Sequence, residues 1–170
     1  AGVPASPQLG TPYGASTVTF VSPLGIPCSE PPFGVLTAID LQTQDLLWKR
    51  PIGTTNDLGP LGTKIGLPME FGTPVSGGTM VTKGGLVFFA GTLDRRFRAF
   101  DIHTGKELWK HALPQSAQAT PMTYVSPESH QQTVVVTLPG VGQNYTVGVS
   151  GEAEDDPQGG YIMAFRLKNR

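Results

Sequence analysis

This sequence predicts an all-β chain built from repeated four-stranded antiparallel units, and three observations carry that prediction. Gly 22 and Pro 16 among 170 residues favour many turns over long helices. Short runs of β-branched and aromatic residues, each within the length of one strand, recur between those turns. A motif also repeats: Ala38-Ile39-Asp40, Thr43 and Leu47-Trp48 return as Ala99-Phe100-Asp101, Thr104 and Leu108-Trp109, with the same spacing from Asp to Asp as from Trp to Trp. Repeats of four short strands at such a period are the sequence signature of propeller blades. The chain holds about three of them, at approximately residues 15–50, 71–111 and 119–167.

Taken in order, Ala1 to Gly14 is rich in Pro and Gly and without periodicity, so it reads as an irregular lead-in. Ser16 to Val21 is β-branched and aromatic and reads as a strand. Ser22 to Gly34 holds four prolines, which lack the amide donors of a central ladder, and is therefore a long loop. Val35 to Asp40 and Asp45 to Lys49 form the first hairpin. Its turn carries Gln44 where the second copy has Gly105, so Gln44 must tolerate a left-handed backbone at about 1 kcal/mol. Pro51 to Gly72 connects the first two units.

The second unit is the most complete. Thr79 to Thr82, Leu86 to Ala90, Phe97 to Phe100 and Lys106 to Trp109 are its four strands, with Asp101, Thr104 and Gly105 supplying the turn chemistry of the last hairpin. Thr-Pro precedes a strand at Thr73-Pro74 and again at Thr120-Pro121, which opens the third unit. Thr133 to Leu138 and Tyr161 to Leu167 continue it, but the turn and the tryptophan strand are missing. Three blades do not close a ring, so the chain is expected to be a fragment of a longer propeller or to cover its open faces by self-association.

Composition excludes several function classes. With 12 Lys+Arg against 13 Asp+Glu and no basic cluster, nucleic acid is not an expected partner. No apolar run is long enough to span a membrane. Cys28, the one cysteine, cannot form an internal disulfide or by itself a metal site, and between prolines it reads as a half-buried loop residue. His103, His111 and His130 fall in turns, strand ends and polar loops and read as solvated. Glu152, Glu154, Asp155 and Asp156 lack EF-hand spacing and read as a solvated acidic loop. No zinc, nucleophile-elbow or phosphate-loop motif is present. Asp94, in a tight bend beside Arg95 and Arg96, reads either as an Asx-turn residue or as a functional carboxylate. Trp48 and Trp109 read as packing between blades, because both recur at one place in the repeat.

The fullest copy of the motif, Ala-x-Asp-x-x-Thr-Gly-Lys-x-x-Trp at Ala99 to Trp109, resembles the tryptophan-docking motif of pyrroloquinoline quinone (PQQ) dehydrogenases. In order along the chain, TPYGASTVTFVSPLGIPC, RPIGTTND, GTLDRRFRAFD and QATPMTY resemble the C-terminal part of the membrane-bound quinoprotein glucose dehydrogenases, whose relatives oxidise quinate and polyols. The resemblance covers essentially the whole chain. It implies an eight-bladed propeller holding PQQ and a divalent cation, Ca²⁺ or Mg²⁺, on its axis. It implies also a periplasmic enzyme anchored in the inner membrane by N-terminal helices, with a sugar, polyol or cyclitol as substrate and ubiquinone as electron acceptor.

The same resemblance places the catalytic aspartate and the main metal ligands upstream of Ala1, so no catalytic or metal-binding residue is expected in this chain. What carries over is cofactor-side: Gly53 matches a glycine important in the family, and Asp94 an aspartate near the cofactor end of the ring. Leu138 to Gly142 matches a glycine-rich loop bordering the quinone, which brings in Gly140 and Val141. Glucose dehydrogenases carry a histidine in that loop that influences substrate preference, where this chain has Val141, and the segment Gln143 to Gly160 is longer than theirs. Both departures weaken glucose as the substrate and leave quinate or a polyol open. The alternative is a non-catalytic propeller scaffold, like those of outer-membrane assembly lipoproteins, with the loops at Ser22 to Gly34 and Gln143 to Gly160 as partner surfaces.

Overall fold

The computed structural model describes residues 6–16, 20, 22, 27–55, 69–139 and 160–167. Eleven strands and no helix are found among them, and no helix is long and apolar enough to cross a membrane. A short ribbon pairs β1 (Ser6–Pro7) with β2 (Gly14–Ala15), all but Ala15 within the segment Ala1 to Gly14 expected to be an irregular lead-in. A turn with Gly10 at φ 80° closes it, and the amide of Gln8 donates to the Tyr13 carbonyl at 3.0 Å. Pro7 is tolerated because both strands are edges. Of the strand expected at Ser16 to Val21, residues 17–19 and 21 lie outside the described residues, and Ser16 and Phe20 are not in a strand. Cys28 is exposed rather than half-buried.

Three larger sheets follow. The first pairs β3 (Val35–Ile39) with β4 (Leu46–Pro51). The second is a four-stranded meander in the order β5 (Met80–Val81), β6 (Leu86–Phe89), β7 (Arg96–Asp101), β8 (Glu107–Ala112). The third is β9 (Met122–Val125), β10 (Gln132–Leu138), β11 (Tyr161–Arg166), in which β10 lies between the other two and β11 pairs on one side among the described residues.

The middle sheet is apolar on both faces. Alternation sends Val87, Phe89 and Phe100 toward Ile52 and Leu36 of the first sheet and its exit, while Phe88 and Phe97 face Val134, Val136 and Phe165 of the third. A strand buried on both faces reads as an unbroken apolar run, which is why Leu86 to Phe89 shows no polar alternation. Phe97 and Phe100 are fully buried, each contributing about 1.5–3 kcal/mol relative to an exposed ring. The faces of the outer sheets that turn away from the middle one carry Ile39, Leu47 and Ile162 to solvent.

The repeated motif folds alike in both copies, with one bond added in the second, from the Thr104 hydroxyl to the Asp101 carboxylate at 2.9 Å. In the first turn the Asp40 carboxylate accepts from the amides of Gln42 at 2.7 Å and Thr43 at 3.2 Å. In the second, Asp101 accepts from His103 at 3.0 Å and Thr104 at 2.8 Å. Each hairpin carries a register shift at its alanine, Ala38/Ile39 and Ala99/Phe100. Gln44 adopts the expected left-handed backbone, φ 63°, and Gly105 has φ 68°.

The two turns differ in what rests on them. The Trp48 ring lies on Gly105, where a Cβ would stand 2.6 Å from Trp48 Cδ2, and its indole N–H donates to the Ile102 carbonyl at 2.8 Å. Arg50 adds a guanidinium bond to the Gly105 carbonyl at 2.5 Å and sits 5.2 Å over the Phe100 ring. The first sheet is therefore seated on the second through its tryptophan. Trp109 packs toward the third sheet edge-on to Phe165 at 5.5 Å, with His111 of its own strand stacked beside it at 6.0 Å.

Gly105→Ala is expected to destabilise the protein by about 2 kcal/mol, part of it left-handed backbone strain and the rest the clash with Trp48. In a Trp48→Ala background the same substitution should cost less, with a coupling of about 1 kcal/mol between the two sites. Urea unfolding of the four members of that cycle measures both quantities.

Candidate functional site

The connectors at one end of the stacked sheets converge on a buried charge. After β4 the chain runs through Ile52, whose amide donates to the Gly34 carbonyl at 3.0 Å, to Gly53 and Thr54. Gly53 has φ +88°, and a Cβ there would stand 2.3 Å from the hydroxyl of Thr73. Only glycine meets both demands. Thr73 is itself buried and accepts the amide of Leu93 at 3.3 Å. Leu93 and Asp94 belong to the bend between β6 and β7, so the exit of the first sheet and the bend of the second meet here.

Asp94 is fully buried. Its Oδ2 accepts the amide of Thr54 at 2.9 Å and the hydroxyl of Thr54 at 3.1 Å. Its Oδ1 accepts the hydroxyl of Thr92 at 2.6 Å and Nη1 of Arg98 at 3.0 Å, and Nη2 of Arg98 closes a second prong onto Oδ2. Arg98 is 4% exposed; its Nε donates to Glu107 Oε2 at 3.1 Å, and Lys110 pairs with the other Glu107 oxygen at 3.2 Å. Charges thus alternate from the buried carboxylate outward across β7 and β8. Burial pushes the Asp94 carboxyl up, but the bonds and charge of Arg98, the Thr92 hydroxyl and the Thr54 amide together outweigh it and hold its pKa below the ordinary 3.8.

A small polar recess between the first two sheets opens beside this network, lined by Arg50, Gly53, Thr54, Glu70, Arg98 and Glu107, with Ile52 and Phe100 as its apolar wall. The Nε of Arg50 is buried there without a protein partner.

Gly53 and Asp94, named from the sequence, are brought to one place by the fold. The Asx-turn reading of Asp94 is corrected: the carboxylate turns inward and is spent on Thr54, Thr92 and Arg98. Arg98 and Thr54 were not singled out from the sequence. The signal for Arg98 was available, since an arginine between Phe97 and Ala99 in a two-faced apolar strand needs a buried counter-charge. Gly140 and Val141 lie outside the described residues, as do Glu152, Glu154, Asp155 and Asp156. His103, His111 and His130 are exposed.

The described residues do not by themselves fit a polycarboxylate quinone or its cation. Asp94 has about four lone-pair positions and five donor contacts. Arg98 is divided between Asp94 and Glu107. No group of three His, Cys, Asp or Glu is gathered as a ligand set among the described residues.

The PQQ family model, described as "Glucose/ethanol/alcohol dehydrogenase, beta-propeller domain", matches residues 2–134. The chain is 46% identical over 167 residues to the quinate/shikimate dehydrogenase (quinone) of Acinetobacter baylyi, a match covering 98% of this chain and 19% of that protein. It is 38% identical over 161 residues to the quinoprotein glucose dehydrogenase of Escherichia coli, covering 95% of this chain and 19% of that one. Among solved structures, the quinohemoprotein alcohol dehydrogenase of Comamonas testosteroni aligns with TM-score 0.53 and 26% identity over 85% of this chain and 18% of that chain. The chain therefore spans about a fifth of the length of the curated relatives it matches.

Asp94→Asn is expected to cost roughly 3 kcal/mol in thermal or urea unfolding, because it leaves the Arg98 guanidinium buried with half its counter-charge. The pH dependence follows from the lowered carboxyl. The pair's contribution is complete above the unfolded-state value near 3.8 and is lost as pH falls through the still lower folded value. Below about pH 4 the Asp94→Asn protein should therefore lose stability with a slope shallower by up to one proton, as urea midpoints measured across that range will show.

Proposed function

Because the chain belongs to the glucose/ethanol/alcohol dehydrogenase β-propeller family, we propose that it is the C-terminal part of a PQQ-dependent dehydrogenase oxidising a cyclitol, polyol or sugar, with quinate-type substrates preferred over glucose. The observation that carries the reading is the 46% identity to a quinate/shikimate dehydrogenase over nearly the whole chain, against 38% to a glucose dehydrogenase. Val141, where glucose enzymes have a histidine, supports the same direction.

On this reading the three units at approximately 15–50, 71–111 and 119–167 are blades of an eight-bladed ring, and the apolar outer faces of the first and third sheets pack against further blades of the same protein. PQQ supplies the oxidant and Ca²⁺ or Mg²⁺ the Lewis acid, both gripped chiefly by residues of other blades. This chain supplies wall and rim. Its own residues shape the cofactor end: Gly53 lets the connector pass Thr73 closely, and Asp94 holds Thr54 in place. Gly140 and Val141 would belong to the quinone's surroundings, as the sequence resemblance implies. Electrons pass to ubiquinone, and the enzyme works at the periplasmic face of the inner membrane, anchored by helices that precede this chain. That the relatives named above are dehydrogenases favours this reading over a non-catalytic scaffold.

The full-length protein loaded with PQQ and Ca²⁺ is expected to reduce a ubiquinone analogue with quinate as donor, at a kcat/KM at least about 10-fold above that for glucose. A higher value for glucose would overturn the substrate assignment. Failure with quinate, shikimate, glycerol and glucose alike would overturn the enzyme reading.

A further inference from the structure

A carboxylate at the cofactor end of a quinoprotein invites the role of cation or quinone ligand, and the geometry around Asp94 opposes it. We infer that Asp94 acts instead as an internal brace, pairing with Arg98 to pin Thr54 and so setting, from the core of the second sheet, where the connector leaving the first sheet lies. The inference deepens the quinoprotein reading and rests on it for its functional consequence, though not for the brace itself.

Three observations support it. Every lone-pair direction of the carboxylate is used, and the side chain is only 1% exposed. A ligand role would require Asp94 to release Thr54 or Arg98, leaving buried donors unsatisfied.

The partner is equally committed. Arg98 places Nη1 on Asp94 and on the Thr92 hydroxyl at 2.8 Å, Nη2 on Asp94 and Nε on Glu107. A planar fork held at both ends has a single orientation. Glu107 is tied in turn to Lys110 on the same strand, so the brace is anchored in β7 and β8.

The load falls on Thr54. Both its amide and its hydroxyl reach one carboxylate oxygen, while the preceding Gly53 is wedged against Thr73. Held from two sides, residues 52–55 have little freedom, and Gly53, Thr54 and Arg98 together line the recess between the sheets. Groups that orient a site without touching its ligand typically change affinity by 10- to 100-fold when removed.

The test uses the full-length protein and the variants Asp94→Asn, Arg98→Met, Arg98→Lys and Thr54→Val. Thr54→Val keeps shape and removes one hydroxyl, so it is expected to fold even if the charge variants are too unstable to study. Two readouts are taken: the PQQ dissociation constant, and hydrogen exchange of the segment containing Thr54 in protein free of PQQ. In the wild type the Thr54 amide should be protected. Arg98→Met and Thr54→Val should weaken PQQ about 10-fold or more, in the direction of Asp94→Asn, with faster exchange at 52–55. Arg98→Lys, which keeps the charge without the fork, should recover thermal stability more fully than PQQ affinity. The brace is overturned if Asp94→Asn alone weakens PQQ while Arg98→Met and Thr54→Val match the wild type, or if the wild-type Thr54 amide exchanges unprotected. A wild type that binds no PQQ counts against the quinoprotein reading, and exchange at Thr54 still decides the brace.

Discussion

The buried pair of Asp94 and Arg98 is the constraint on which the meeting of the first two sheets depends. Removing two opposite charges from water is costly, and their attraction offsets that cost only when the remaining donors and acceptors are also satisfied. Here the satisfying groups come from three places: Thr92 two residues away, Thr54 on the preceding connector and Glu107 on the neighbouring strand. The first sheet cannot shift against the second without breaking bonds to a buried carboxylate. Local chain order at 52–55 is thus a consequence of a long-range ion pair.

Around that polar node the stacking is apolar and repetitive. Each tryptophan strand stays paired in its own sheet and sends its indole onto the next, and the turn beneath Trp48 must be glycine because a Cβ would enter the indole. The equivalent Gln44 carries the same left-handed backbone with its side chain in solvent. One backbone geometry is therefore built from two residue types, and the difference is what lies above the turn. The aromatic group of Phe97, Trp109, His111 and Phe165 repeats the arrangement between the second and third sheets with other residues.

Division of labour follows from this architecture. Strands buried on both faces cannot carry polar chemistry without a partner for every group, so the polar groups concentrate where connectors cross the sheet ends. In a family whose proteins are several times longer than this chain, that places the chain's influence on chemistry at its connectors, through the positions it imposes on them.

The strands of the three larger sheets were legible in the sequence because their information is local, whereas the short ribbon of β1 and β2, in a stretch rich in Pro and Gly, was not. Val35 to Asp40, Leu86 to Ala90 and Thr133 to Leu138 announce themselves by β-branched and aromatic content, and the Asp-x-x-Thr turns by side chains that bond amides two and three residues away. The repeat showed which segments of the first two units are equivalent. The direction of the Asp94 side chain was not legible: an aspartate in a tight bend is compatible with bonding its own turn, and Thr54, which claims it, is forty residues earlier. Cys28, in a proline-rich loop, was placed too deep, since proline content says nothing about which side of a loop meets solvent. Sequence determined the class, the repeat and the turn chemistry, all set by neighbours in the chain. Only the tertiary structure decided that Gly53, Thr54, Asp94 and Arg98 share one site, because what joins them is the stacking of separate sheets and the need of each buried charge for a partner.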